Sequence, residues 1–294
     1  MDRGEISQTG VIVSFRQFVV IALAVGSSVP AAADDFSDTF IGYRYGTKFR
    51  EPNNPDDIAK NIVQFSHAST YRYGSNYLNI DYFKSDSKDP ASGADSGGAA
   101  ELYLTYRNQL QYGKVTGKPL AFGVIRDVAL TAGFDLNTKD TTMGPRKQVI
   151  VVGPTVKFDV PGFLDVGVWY YRERNHCGIP PCLEPGAHSE ITFDPTYMVN
   201  ATWGIPFEVG SVPLKFQGFV NFVGPKGKDY TNHDTAKETL MRTSLMVDAG
   251  QVVASHKGTV FVGVGYEYWH NKYGNQPGVG TQVNAPQLQV EWHF

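Results

Sequence analysis

Charged and aromatic side chains recur at every second position along much of this chain. Arg44, Asp81, Glu101, Arg107, Asp127, Asp135, Glu173, Lys215, Asp248, Glu267 and Glu291 follow this spacing, with Tyr103, Trp169, Phe219, Phe261 and Trp269 among them. On extended strands a period of two puts them on one face. Such a face supports two kinds of chemistry. Opposite charges can pair and fill a narrow interior. Alternatively, flat rings stack on a passing solute while Asp, Glu, Arg and Asn hydrogen-bond its edges. A conducting path needs contacts that are weak and repeated, so that the solute also leaves. A face with rings and both signs of charge suits a neutral, amphipathic solute, and residue types alone do not separate nucleosides from sugars or aromatic acids.

Other chemistry is sparsely represented. The two cysteines lie in Cys177, Gly178, Ile179, Pro180, Pro181, Cys182. In an oxidising compartment this spacing could close a small disulfide loop, although two prolines stiffen it. A metal site using His176 and His188 is the lesser alternative. Cysteine catalysis lacks an evident base. No zinc-protease, P-loop or dinucleotide motif occurs, nor a Gly-x-Ser-x-Gly element. The reading is therefore no enzyme, no cofactor and no metal. A formal net charge of -3 gives no basic field for nucleic acid.

The elements that must position these residues are strands. At the end of the chain Leu288, Val290, Trp292 and Phe294 share one face, and Gln287, Gln289, Glu291 and His293 the other. Twelve strand candidates follow, near 38–45, 60–70, 75–84, 99–111, 125–137, 147–157, 164–173, 190–203, 212–223, 240–250, 259–270 and 284–294. Several alternate clearly, such as Val128, Leu130, Ala132, Phe134 and Leu136 against Asp127, Thr131, Gly133 and Asp135. Those near 60–70, 147–157 and 240–250 alternate poorly. Long polar connections (46–59, 85–98, 138–146, 174–189, 224–239, 271–283) take turns with shorter ones (71–74, 158–163, 204–211, 251–258), and only 112–124 breaks the rule. Tyr43, Tyr45, Tyr82, Tyr106, Tyr170, Tyr268 and Trp292 near strand ends fit belts of amphipathic rings at a membrane interface. Together these features predict an all-β, antiparallel transmembrane barrel in the outer membrane, about twelve strands in a single domain over 34–294.

Residues 1–33 read as a cleavable signal peptide. Arg16 precedes the apolar run from Phe18 to Val25, and small residues lead to Ala31, Ala32 and Ala33. That run is too short for a membrane-spanning helix, which needs roughly 20 residues. No later segment is long and apolar enough, and the mean hydropathy is slightly negative.

Three stretches carry a family resemblance. They are Phe40, Ile41, Gly42, Tyr43, Arg44, Tyr45, Gly46, Thr47, Lys48, Phe49; then Tyr77, Leu78, Asn79, Ile80, Asp81, Tyr82, Phe83; and Tyr266, Glu267, Tyr268, Trp269, His270, Asn271 with the terminal Phe294. From about Phe36 onward the chain resembles the Tsx-like nucleoside-specific channel family of Gram-negative outer membranes. The resemblance implies a monomeric twelve-stranded barrel that passes nucleosides and deoxynucleosides by passive diffusion into the periplasm. Lipid and lipopolysaccharide would surround it, and in some relatives the outer loops bind phage or colicin. Arg44, Asp81, Glu267 and Trp269 fall in the matching stretches and are the foremost candidates for solute contact; Glu101, Tyr103, Trp169 and Phe219 join them as candidate lumen residues. Two alternatives stand beside this reading. One is a diffusion channel for other small aromatic or hydrophobic solutes. The other is a structural or adhesion barrel with surface-binding loops, its interior closed by paired charges.

Overall fold

The structure is a computed structural model that describes residues 36–294 apart from 93–96, 142–143, 179–181 and 255. The signal peptide expected over 1–33 lies outside the described residues. Thirteen strands form one sheet: β1 (Ser37–Phe49), β2 (Ile58–Tyr71), β3 (Gly74–Ser85), β4 (Ala100–Gln111), β5 (Ile125–Lys139), β6 (Gln148–Phe158), β7 (Phe163–His176), β8 (Glu190–Thr192), β9 (Thr196–Val209), β10 (Val212–Val223), β11 (Glu238–Asp248), β12 (Val260–His270) and β13 (Val283–His293). All pairings are antiparallel. Neighbours in sequence are neighbours in space, except that β9 pairs with β7 past the short β8. Tyr43 of β1 pairs with Val290 of β13, which closes the ring. Twelve strands make the wall, and β8 pairs with β7 alone. Closure removes the exposed sheet edges that would otherwise leave backbone groups unpaired.

Sequence predicted one strand over 190–203. The wall strand instead begins at Thr196, because Pro195 has no N–H for the ladder and the Asp194 N–H donates to the Lys226 carbonyl in a neighbouring loop (3.0 Å). At its other end β9 runs through to Val209, so the turn shrinks from 204–211 to 210–211, where Gly210 takes φ +62°. The exceptional connection 112–124 holds a short helix, α1 (Tyr112–Thr116), and the Asp127 carboxylate caps this segment by accepting from the N–H groups of Gly113 (3.0 Å) and Leu120 (3.1 Å). A second short helix, α2 (Ala249–Ala254), lies between β11 and β12. Both helices, both described chain ends and the two-residue turns share one end of the barrel, the terminal end. The longer connections share the other, the loop end.

Outward positions are apolar around the ring: Leu130, Ile150, Val168, Phe216, Val264 and Leu288 are all exposed. The seven aromatic residues expected in belts also point outward. Apolar exposure on every strand would aggregate in water and suits hydrocarbon. No helix among the described residues is long and apolar enough to cross a membrane, which leaves crossing to the strands. Val168→Arg, at mid-height of this face, should cost about 2–4 kcal/mol of folding free energy. Reversible urea unfolding in lipid vesicles measures this loss, and a loss below about 0.5 kcal/mol would count against a hydrocarbon-facing surface.

The three poorly alternating strands have apolar residues on both faces. In β6, Val149 and Val151 point inward and Ile150 and Val152 outward. The interior is consequently less polar than alternation implied. Phe49, Ile58, Ile62, Phe83, Trp269, Val283 and Ala285 form one buried cluster within the ring. Val149, Val151, Trp169, Tyr171, Met198 and Val223 form another. Both gather toward the loop end, where the barrel is packed by side chains.

Candidate functional site

At mid-height four charged side chains meet. Register places Arg44 of β1 beside Ile62 of β2, and Asp81 of β3 beside Gln64 and Tyr103. Arg44 Nη2 donates to Asp81 Oδ2 (2.8 Å). Arg242 of β11 and Glu267 of β12 are register partners, and Arg242 Nε donates to Glu267 Oε2 (2.6 Å). The Arg242 Nη1 atom also donates to Asp81 Oδ2 (3.1 Å). In the order β3, β2, β1, β13, β12, β11 the last two residues stand five strands apart in a ring of twelve. This ion pair therefore crosses the interior.

Two guanidinium groups and two carboxylates cancel in charge. Buried ions keep their charge only when the attraction between them offsets lost hydration, and a planar guanidinium spanning two carboxylates is suited to this. Arg44 Nε and Asp81 Oδ1 are buried without a hydrogen-bond partner among the described residues. The bridge thus retains one donor and one acceptor. Rings surround it. The Arg242 guanidinium lies 5.8 Å from the Phe83 ring and 6.0 Å from Phe219. Tyr103 donates its hydroxyl to Asp135 (3.3 Å).

Toward the loop end, connections fold into the barrel. Glu51 accepts from Lys60 Nζ (2.9 Å), pairs with Lys272 Nζ (3.0 Å) and accepts from the Tyr273 hydroxyl (3.1 Å). Lys272 also donates to the Arg50 carbonyl (2.7 Å) and sits over the Trp269 ring at 4.7 Å. Asn271 and Tyr273, which flank Lys272, take φ +51° and +64°, conformations that residues with a Cβ rarely adopt. These conformations persist because the contacts to Glu51 and the Arg50 carbonyl fix this lysine inside the mouth. Burial pushes the Glu51 carboxyl up, but Lys272 and Lys60 outweigh it and hold it well below the usual carboxylate range. A second cluster joins Lys226 Nζ to Glu173 (2.7 Å), with Lys147 at 3.5 Å from the same carboxylate oxygen. Trp269 Nε1 donates to Glu238 (2.8 Å).

Toward the terminal end, Lys215 and Gln217 of β10 reach Glu291 of β13 at 3.3 and 2.6 Å. His293 lies between Asp38 (2.7 Å) and Glu291 (3.2 Å). Tyr77 points inward on the Asp81 face of β3, yet it is 39% exposed. Water therefore reaches the interior beside it.

All eight candidate lumen residues point inward, but they do not form one site. Arg44, Asp81 and Glu267 meet at the bridge, with Tyr103 and Phe219 around it. Glu101 belongs to the loop end, where it pairs with Lys139 (3.3 Å), and Trp269 packs there too. Trp169 is on the β7 wall, where it donates to Thr155 (3.1 Å) and has the Arg107 guanidinium at 5.8 Å. Sequence reasoning missed Arg242, the residue that joins the two halves of the bridge. Leu240 and Met246 share its face and blurred the alternation of β11. The available signal was charge, since an arginine amid Met241, Thr243 and Leu245 belongs inside and not in oil. Lys60, Lys226, Lys272, Glu51 and Tyr77 were missed as well, three of them in connections where period two says nothing. Cys177 and Cys182 form a disulfide, with Cα atoms 5.8 Å apart. Among the described residues no three His, Cys, Asp or Glu side chains are arranged to hold a metal; His176 instead contacts Glu190 (2.9 Å).

No family model and no curated protein matches this chain. Among solved structures it is similar to the KdgM porin, at 8% identity over 87% of this chain and 99% of that one, with a TM-score of 0.42. It is also similar to the NanC porin, at 9% identity over 86% and 98% with a TM-score of 0.43. A third is the COG4313 outer membrane channel from Pseudomonas putida F1, at 10% identity over 91% and 97% with a TM-score of 0.46. Identities this low speak to the fold alone, and TM-scores this low carry no argument about function. None of these matches supports the Tsx-like resemblance in particular.

Proposed function

We propose that this chain is an outer-membrane diffusion channel for small, uncharged, ring-bearing solutes, with nucleosides and deoxynucleosides as the substrate class. The observation that carries the reading is the bridge of Arg44, Asp81, Arg242 and Glu267. Its charges cancel, so it exerts little net pull on ions. Within it Arg44 Nε and Asp81 Oδ1 are buried and make no hydrogen bond among the described residues, which leaves one donor and one acceptor for a polar neutral solute that displaces the bridge, and Phe83, Phe219 and Tyr103 supply stacking faces beside it. Nucleosides match that combination: a flat base, hydroxyls and no charge. The apolar outer face supports a membrane setting, and the sorting of loop lengths supports an outer membrane with the loop end outside and the terminal end in the periplasm. In this reading the leader over 1–33 is removed on export. The ring closes within one chain, so a monomer suffices.

Planar-bilayer recording together with solute uptake into liposomes tests the proposal. The purified chain should pass adenosine and thymidine faster than a hexose or an amino acid, and each nucleoside should lower ion current reversibly. Conductance indifferent to nucleosides but sensitive to another solute would overturn the substrate class. The Arg242–Asp81 pair also favours a second reading, because a salt bridge across the interior can simply brace a closed structural barrel. Absence of both current and uptake from a folded, membrane-inserted chain would decide for it.

A further inference from the structure

Nearly every charged side chain inside the ring has a close opposite partner. On the outer face, one sector of the loop end gathers several arginines with few carboxylates. Along β7 the outward residues run Leu164, Val166, Val168, Tyr170, and then Arg172 and Arg174. Arg172 is exposed and has no ion pair among the described residues. Arg174 and Arg146, the latter just ahead of β6, share Glu190 at 4.0 and 3.4 Å. Both arginines are more than half exposed, as is half of Glu190, so these contacts contribute little. Three guanidinium groups against one carboxylate leave an excess of positive charge on a small outward patch.

Its height gives the patch a meaning. Tyr170 pairs with Tyr197 of β9, and both rings are exposed on the outer face. Amphipathic rings mark the level where hydrocarbon gives way to headgroups. At about 3.4 Å per residue, Arg172 lies roughly 7 Å beyond Tyr170 along the strand and Arg174 about twice that. Ile150 stands beside Arg172 in register and Val152 beside Tyr170, and Val168 continues this apolar surface toward the middle of the wall. The sector therefore presents a strip for acyl chains topped by guanidinium forks, the geometry that grips phosphate with paired hydrogen bonds.

We infer that Arg146, Arg172 and Arg174 form a binding site for a phosphate-bearing lipid of the outer leaflet, of the lipid A type, with acyl chains on the β6–β7 face. The inference rests on the membrane setting proposed above but not on conduction. A barrel that passes no solute would still bind the lipid. The full chain, purified in neutral detergent, is titrated with bisphosphorylated lipid A and the bound lipid is read by native mass spectrometry. Wild type should retain the lipid. Arg172→Gln with Arg174→Gln should weaken binding about tenfold or more, and Arg172→Lys with Arg174→Lys should recover part of it, since lysine keeps the charge but not the fork. Dephosphorylated lipid A should bind as weakly as the glutamine variant, and millimolar inorganic phosphate should not displace the lipid. The heat-shifted gel mobility of the folded barrel checks that the variants fold. Equal binding by wild type and the glutamine variant, equal binding of the dephosphorylated lipid, or no retention by wild type would each overturn the site. Displacement by inorganic phosphate would overturn the lipid as its occupant.

Discussion

Arg242→Ala should raise single-channel conductance several-fold and should give the current a preference for cations. The guanidinium connects Asp81 on β3 to Glu267 on β12. Its removal opens the middle of the interior and leaves one arginine against two carboxylates, a net charge of -1 where the wild-type bridge has none. A ring or cluster of carboxylates draws cations. Asp81 keeps Arg44 at 2.8 Å, while Glu267 loses its short partner. Discrimination among nucleosides should fall with the rise in current, because the guanidinium beside the Phe83 and Phe219 rings is gone. Reversal potentials in a salt gradient measure the charge effect, and current block by adenosine measures the selectivity. If conductance and reversal potential both match wild type, the bridge does not lie on the conduction path.

Glu51→Ala should be the most damaging change at the loop end. It strands Lys60 and Lys272, whose side chains are 7% and 2% exposed, as buried cations without their shared partner. Removing one member of a buried ion pair costs about 3–5 kcal/mol. The strained segment around Lys272 then loses its ion pair to the mouth and keeps only its hydrogen bonds and ring contacts, so hydrogen exchange over 271–282 should accelerate. The same carboxylate sets a pH dependence. Its folded pKa lies well below its unfolded value of about 4.3, so the stability it contributes is complete above that unfolded value. It is lost only as pH falls through the lower folded pKa. Unfolding measured against pH should show Glu51→Ala well below wild type at neutral pH, with the curves converging only in strong acid. A constant gap down to the lowest pH that keeps the barrel inserted would mean that Glu51 acts through packing and not through charge.

Where one face of a strand is oily and the other polar, sequence alone placed the residues. Inward Asp81, Glu267 and Phe219 and outward Leu288 and Trp292 follow from alternation, since sliding a strand by one residue would put its charges in oil. The parity of loop lengths located the two ends for the same kind of reason. On β6 and β11 apolar residues occupy both faces, so period two carries little information, and Val149, Met246 and Arg242 went unassigned. The 112–124 connection resisted the parity rule because a capped helix occupies it.

The sequence by itself determined a closed antiparallel ring with twelve wall strands, its oily face outward and its charged residues inward, because side-chain direction on a strand is a local property. Only the tertiary structure decided which inward residues meet. Asp81 and Arg242 are 161 positions apart in the chain, and the strand order round the ring brings them within hydrogen-bonding reach. Local periodicity contains no term for that separation. The ion-paired mouth is tertiary for the same reason, since the pairing of β1 with β13 brings Lys272 to Glu51.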